Sequence, residues 1–82
     1  MTQFETLVRK ERRRQYAKFG VQNHDAFCWC SILGEEVGEV NRAVLNRVFY
    51  SGLVDGITVE LVHVAAVAMS MYESLQRQHG QE

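Results

Sequence analysis

Residues 57–72, ITVELVHVAAVAMSMY, decide the fold of this chain. On a helix, their apolar side chains cover nearly the whole circumference, which is typical of a helix buried among neighbours. Glu60 and His63 interrupt this run three residues apart, so they share one face of the helix. A buried carboxylate costs several kcal/mol unless it is paired or binds a metal. The same segment therefore predicts a helical core and raises a question about function.

The rest of the chain divides into helices at its glycines. The first predicted helix covers residues 2–19 and is closed by Gly20. The second covers residues 26–50, with Asp25 as its N-cap and Gly52 at its end. The third covers residues 56–78, with Asp55 as its N-cap and Gly80 just beyond it. No segment shows the alternation of a strand, and the chain contains no proline, which would interrupt a helix. We predict an all-α fold of three main helices per chain, in a bundle completed by oligomerisation.

The composition bounds the class of protein. The 82 residues suffice for one domain, with 46% apolar and 23% charged residues and a formal net charge of −1. Residues 9–14, RKERRR, fan around the first helix instead of lining one face, so we expect no binding to duplex nucleic acid. The chain shows no pattern of a signal peptide or membrane span. Cys28 and Cys30 lie two apart on a helix and are predicted to be reduced. We expect a soluble cytoplasmic protein.

The second helix carries glutamates where apolar residues are expected. Residues 33–40 read LGEEVGEV. At about 100° per residue, Glu36 and Glu39 lie within the apolar stripe that also contains Trp29, and Glu35 lies at its edge. Two interpretations remain open. In the first interpretation, the glutamates form buried salt bridges, for example with Arg42 and Arg47.

Alternatively, one divalent cation is held by two pairs of side chains from facing helices. Glu36 would pair with Glu39, and Glu60 with His63. Carboxylate oxygens suit Mg²⁺ or Mn²⁺, and the imidazole favours softer divalent ions. On this interpretation the carboxylates lie in the apolar stripe because they are metal ligands.

These residues also form a recognisable pattern. Glu35-Glu36-Val37-Gly38-Glu39 is followed, after twenty residues, by Glu60-Leu61-Val62-His63. Together with the flanking Leu33-Gly34 and the alanine-rich tail, this resembles the EExxE…ExxD motif of the MazG-like all-α nucleoside triphosphate pyrophosphohydrolases. The resemblance extends over roughly residues 12–76, and the core motif region would be residues 25–78 of a single domain, residues 1–82.

The resemblance implies a helical bundle that is a homodimer or a dimer of dimers. It implies cleavage of nucleoside triphosphates to the monophosphate and pyrophosphate with Mg²⁺, often to remove non-standard nucleotides. By position, Glu36, Glu39 and Glu60 would be metal ligands, and Glu35 would be a further ligand or would activate water. The chain departs from the family at His63, which stands where the family has aspartate and which would tilt the site toward Mn²⁺ or another softer ion.

Substrate contacts are less specific in the sequence. The cations available for phosphate are Arg42 and Arg47 in the second helix or Arg12–Arg14 in the first. Trp29 would stack on a base or pack in the core, and His24 would touch the nucleotide or help to begin the second helix. Two other functions remain open. In the first, the chain is a catalytically silent module that binds a nucleotide or a partner. In the second, it is a di-iron carboxylate bundle built on Glu60-x-x-His63.

Overall fold

The computed structural model describes residues 1–50 and 54–80, with the side chains of residues 54 and 55 excepted. These residues form three helices and no strand, which confirms the predicted all-α class. The helices are α1 (Gln3–Phe19), α2 (Ala26–Tyr50) and α3 (Val54–His79). Within this part of the chain, no helix is both long enough and apolar enough to cross a membrane.

A reciprocal pair of hydrogen bonds fixes the beginning of α1. The backbone N–H of Glu5 donates to the Thr2 hydroxyl oxygen at 3.1 Å, and the Thr2 N–H donates to the Glu5 carboxylate at 3.3 Å. This capping box satisfies two of the N–H groups that have no partner within the helix. At the other end, Gly20 adopts a φ of +69° and its N–H donates to the carbonyl oxygen of Tyr16 at 2.7 Å. The predicted bounds of α1 are therefore correct to one residue.

The predicted beginning of α2 at Asp25 is confirmed. The Asp25 carboxylate accepts a hydrogen bond from the Cys28 N–H at 2.8 Å, as an N-cap residue does. The prediction for α3 was less accurate, because the helix already includes Asp55 and this residue is therefore not its N-cap. Gly52, the predicted end of α2, lies outside the described residues. Gly80 follows α3 with a φ of +70°, as predicted for a residue beyond a helix end.

Helix α3 is the centre of the fold. It packs against both α1 and α2, whereas α1 and α2 do not pack directly against each other in the described chain. Val8 from α1 meets Val62 and Ala66 from α3 in a small apolar core. On the side of α2, Trp29 is buried with 2% of its surface exposed. In this arrangement α3 buries Val62, Ala66 and Val67, whereas Val59, Leu61 and Tyr72 of the apolar run are exposed in the single chain.

Polar contacts tie the connection between α1 and α2 to the end of α3. The buried Ser74 hydroxyl donates to the Gln22 carbonyl oxygen at 2.9 Å, and the Gln78 amide donates to the His24 carbonyl oxygen at 2.9 Å. Arg77 donates to the Gln22 carbonyl oxygen as well. A buried hydroxyl requires such an acceptor. These contacts set where α2 begins and thus the register of its glutamates against α3.

Candidate metal centre

The structure brings together the four side chains that the sequence predicts as metal ligands. One ligand atom from each of Glu36, Glu39, Glu60 and His63 lies within 4.8 Å of the others. Glu36 and Glu39 come from α2, and Glu60 and His63 come from α3. The spacing of three residues in each helix places each pair on one face, and the packing of α2 against α3 makes the two faces meet.

His63 lies at the centre of the shortest contacts. Its Nδ1 is 3.3 Å from the Glu60 Oε2 and 4.0 Å from the Glu36 Oε2. The three side chains are about a quarter to a third exposed, at 30% for His63, 25% for Glu36 and 23% for Glu60. The cluster is therefore partly shielded but open to solvent and to ions.

The carboxylates of the cluster repel one another. A side-chain hydrogen bond with Glu60, followed by the negative charges of Glu36 and Glu60, raises the pKa of Glu39 above its ordinary value of 4.5. A carboxyl group with a raised pKa beside other carboxylates is the electrostatic signature of charges that lack a counterion. A divalent cation at this point would remove that repulsion.

This repulsion predicts a pH dependence for the metal-free protein. Because the folded chain binds the Glu39 proton more tightly than the unfolded chain, stability is lost as the pH rises from 4.5 through the raised pKa. We expect the melting temperature in a chelator to rise from neutral pH toward about pH 5, and expect this rise to shrink in Glu39→Gln. Below pH 4.5 the trend reverses, because arginines lower the pKa values of Glu11 and Glu73. Identical melting curves for the variant and the parent at both pH values would contradict this prediction.

The structure does not support salt bridges as the explanation for the glutamates. Among the described residues, no lysine or arginine forms an ion pair with Glu36, Glu39 or Glu60. Arg42 and Arg47, the predicted partners, are exposed and form no ion pair within this part of the chain. In the single chain, the salt-bridge interpretation therefore has no cationic partner for these glutamates among the described residues.

One carboxylate oxygen of the cluster is buried without a hydrogen-bond partner in the described structure. This atom is the Oε2 of Glu36. Such an atom is costly in a protein interior, because a carboxylate oxygen removed from water needs a donor or a cation. Three carboxylates and one imidazole are the donors expected of a site for Mg²⁺ or Mn²⁺. The residues present therefore fit a divalent ion.

Helix α1 contributes two residues next to the cluster. The Glu11 Oε1 lies 3.9 Å from the His63 Nε2, and Arg14 donates to both Glu11 oxygens at 2.8 and 2.7 Å. The sequence prediction missed Glu11 because it considered residues 9–14 only for their basic side chains. A signal was present, since Glu11 continues at i+3 the stripe that contains the buried Val8.

Two cavities adjoin these residues. The first, of about 340 Å³, is lined on one side by Glu36, Glu39 and His63 and on the other by Arg14 and Lys18. Its volume lies within the range of small-molecule sites. The second is a larger, mainly apolar groove of about 580 Å³ between α1 and α3, and it also reaches His63. The first cavity combines acidic ligands with cations and is therefore the one suited to a metal-bound anion.

The remaining predicted site residues lie apart from the cluster or are buried. Glu35 is exposed, does not line either cavity, and forms no hydrogen bond to another described residue. Trp29 is 2% exposed and lines the 340 Å³ cavity from within the core, so packing is observed and stacking on a base stays a prediction. His24 packs edge-on against Trp29, with ring centres 5.0 Å apart, and helps to hold the beginning of α2.

Comparison of the chain with protein-family models, curated proteins and solved structures gave no match.

Proposed function

We propose that the chain is a metal-dependent nucleoside triphosphate pyrophosphohydrolase that binds its ion at Glu36, Glu39, Glu60 and His63. The observation that carries this proposal is the convergence of these four side chains, with mutually repelling carboxylates and an unpartnered Glu36 oxygen. The resemblance of their spacing to the EExxE…ExxD motif supplies the reaction and the substrate class. Mg²⁺ fits the three carboxylates, and His63 makes Mn²⁺ an effective alternative.

The ion would be held by residues of α2 and α3, and α1 would supply cations for the substrate. A bound ion would lower the pKa of a water ligand and neutralise phosphate oxygens. Glu36, Glu39 and Glu60 would hold that ion, and Glu36 and Glu39 line the 340 Å³ cavity beside it. The role of water-proton acceptor falls to Glu35 by its place in the EExxE pattern alone, since its side chain lines neither cavity in the single chain.

The cations that meet the substrate phosphates would come from α1. Arg14 and Lys18 are one helical turn apart and line the same cavity as Glu36 and Glu39. The sequence offered Arg42 and Arg47 as alternatives, but neither lines either cavity described above. A triphosphate carries more negative charge than one divalent ion neutralises, so these α1 cations would complete its binding.

This assignment predicts different effects on KM for one lysine variant and one arginine variant. Lys18→Gln should raise the KM for a triphosphate several-fold with a smaller effect on kcat, because it removes a charge that faces the substrate. Arg42→Gln, which removes an exposed charge elsewhere, is the matched control and should leave KM unchanged. Steady-state kinetics at saturating Mg²⁺ would distinguish the two. If only Arg42→Gln raised KM, the phosphates would lie on the other side of α2.

The proposed reaction is tested by a screen of standard and modified nucleoside triphosphates with Mg²⁺, Mn²⁺ or Co²⁺. We expect release of pyrophosphate and the matching monophosphate for at least one substrate, and loss of that release in a chelator. Binding of nucleotide without turnover under every ion would favour the silent binding module. Purification of a coloured protein that contains iron at two atoms per site would favour the di-iron bundle.

We also propose that the functional form is a homodimer or a dimer of dimers. Among the residues whose burial the structure describes, only a few side chains are buried, and large aromatic residues remain exposed: Phe27 at 87%, Phe49 at 70%, Tyr50 at 80% and Tyr72 at 67%. A chain of 82 residues gains much of its stability from association when its own core is this small. We expect sedimentation at micromolar concentration to give at least a dimer, and a monomer would contradict this.

A further inference from the structure

The imidazole of His63 lies between two groups of carboxylates. On one side, its Nδ1 faces the Glu60 Oε2 at 3.3 Å and the Glu36 Oε2 at 4.0 Å. On the other side, its Nε2 faces the Glu11 Oε1 at 3.9 Å. The ring therefore links the metal cluster to α1, and its two nitrogens have different surroundings.

Glu11 is held firmly in this position. Arg14 donates to both of its oxygens, and the Gln15 amide donates to Oε2 at 3.0 Å. The Glu11 side chain is only 10% exposed, although it lies in a segment of basic residues. Both Glu11 oxygens thus accept charge-assisted hydrogen bonds from the Arg14 guanidinium, which fixes the orientation of the carboxylate. Its free acceptor capacity faces the His63 ring.

The chemistry of a histidine ligand requires such an acceptor. Neutral imidazole has one N–H and one lone pair, so His63 can bind a cation through Nδ1 only when its proton is on Nε2. Metal-bound histidines commonly donate this second N–H to a carboxylate, which fixes the tautomer and the ring orientation. Glu60 would accept from Nδ1–H and favours the opposite tautomer. Glu11 is the carboxylate placed to favour the tautomer that binds metal.

We propose that Glu11 is a positioning residue that holds His63 as the Nε2–H tautomer with Nδ1 directed at the bound ion. This inference rests on the proposed metal centre. The distance of 3.9 Å exceeds a hydrogen bond, and the proposal requires the Glu11 side chain to close it once an ion at Nδ1 replaces the present contact with Glu60. An aspartate at position 63 would need no such partner, because it has no second N–H.

A double-mutant cycle tests this coupling through Mn²⁺ affinity, measured by calorimetry. Glu11→Gln in the parent should weaken Mn²⁺ binding by about 10- to 100-fold, the usual effect of losing an outer partner of a ligand. In the His63→Asp background the same change should leave the affinity unchanged, because no imidazole remains to be oriented. Glu73→Gln, which breaks the ion pair between Arg12 of α1 and Glu73 of α3, is the control and should retain the parent affinity.

Histidine ring ¹⁵N shifts provide the second readout and need no change at Glu11. They would be recorded with Zn²⁺ in a Cys28→Ser, Cys30→Ser background, which removes two exposed thiols that compete for this ion. We expect a protonated Nε2 and a metal-bound Nδ1 in His63. The reverse pattern, or equal losses of affinity for Glu11→Gln in both backgrounds, would overturn the role of Glu11 and leave the metal centre standing. Absence of divalent-ion binding by the parent would overturn both proposals.

Discussion

Replacing Glu36 with glutamine should remove most of the stabilisation of the protein by divalent ions. In the parent, an ion that binds the folded chain alone stabilises it by about 2.7 kcal/mol at a concentration 100 times Kd. For a domain of this size, that stabilisation corresponds to a rise in melting temperature on the order of 10 °C. Glu36→Gln removes a charged ligand whose Oε2 has no other partner among the described residues, so most of this rise should disappear. Thermal unfolding with and without Mg²⁺ or Mn²⁺ measures the effect.

The neighbouring glutamate provides the matched control for this experiment. Glu35→Gln makes the same chemical change one residue away, at an exposed side chain outside the cluster. It should keep the thermal response to Mg²⁺ but reduce turnover, because Glu35 is the proposed proton acceptor. In a chelator, Glu36→Gln should be at least as stable as the parent, since it relieves repulsion with Glu39. An unchanged metal response in Glu36→Gln would move the metal site elsewhere.

His63→Asp should increase Mg²⁺-dependent cleavage of triphosphates, or create it where the parent shows none. The change places a hard oxygen ligand and one negative charge at position 63, where the family that this chain resembles has aspartate. We expect Mg²⁺ to bind about tenfold more tightly, a difference of about 1.4 kcal/mol. Pyrophosphate release at limiting Mg²⁺ should show the gain most clearly, because occupancy of the site is then limiting.

A second variant separates ligation by His63 from packing. His63→Ala should weaken Mn²⁺ or Zn²⁺ binding more than Mg²⁺ binding, because imidazole favours the softer ions. In the parent, Mn²⁺ affinity should fall as the pH decreases, since protons compete with the ion for the ligand nitrogen and oxygens. If neither substitution altered metal binding or turnover, His63 would be a packed residue, and the site would consist of three carboxylates.

Much of the cluster was predictable because helical geometry is local. Glu36 and Glu39, like Glu60 and His63, are three residues apart, and this spacing alone places each pair on one face. The N-cap at Asp25 also set the beginning of α2 correctly. We predicted that the glutamate face of α2 meets the Glu60–His63 face of α3 from a further assumption. This assumption was that carboxylates which are costly to bury bind the same ion. In the structure, the two faces meet.

The contribution of α1 was not predictable in the same way. A helical projection shows which side chains share a face but does not show which helices meet, and that depends on contacts between distant residues. Here Ser74 and Gln78 of α3 hold the connection that precedes α2, and α1 consequently lies against α3. Glu11 and Arg14 reach the cluster for this reason, whereas Arg42 remains in solvent.

The central claim is that one divalent ion binds among Glu36, Glu39, Glu60 and His63. Anomalous diffraction from crystals grown with Mn²⁺ tests it most directly, because the signal locates the ion without reference to activity. We predict an anomalous peak within coordination distance of all four side chains in the parent and its loss in Glu36→Gln. A fully occupied Mn²⁺ position elsewhere, with none among these four residues, would contradict the claim.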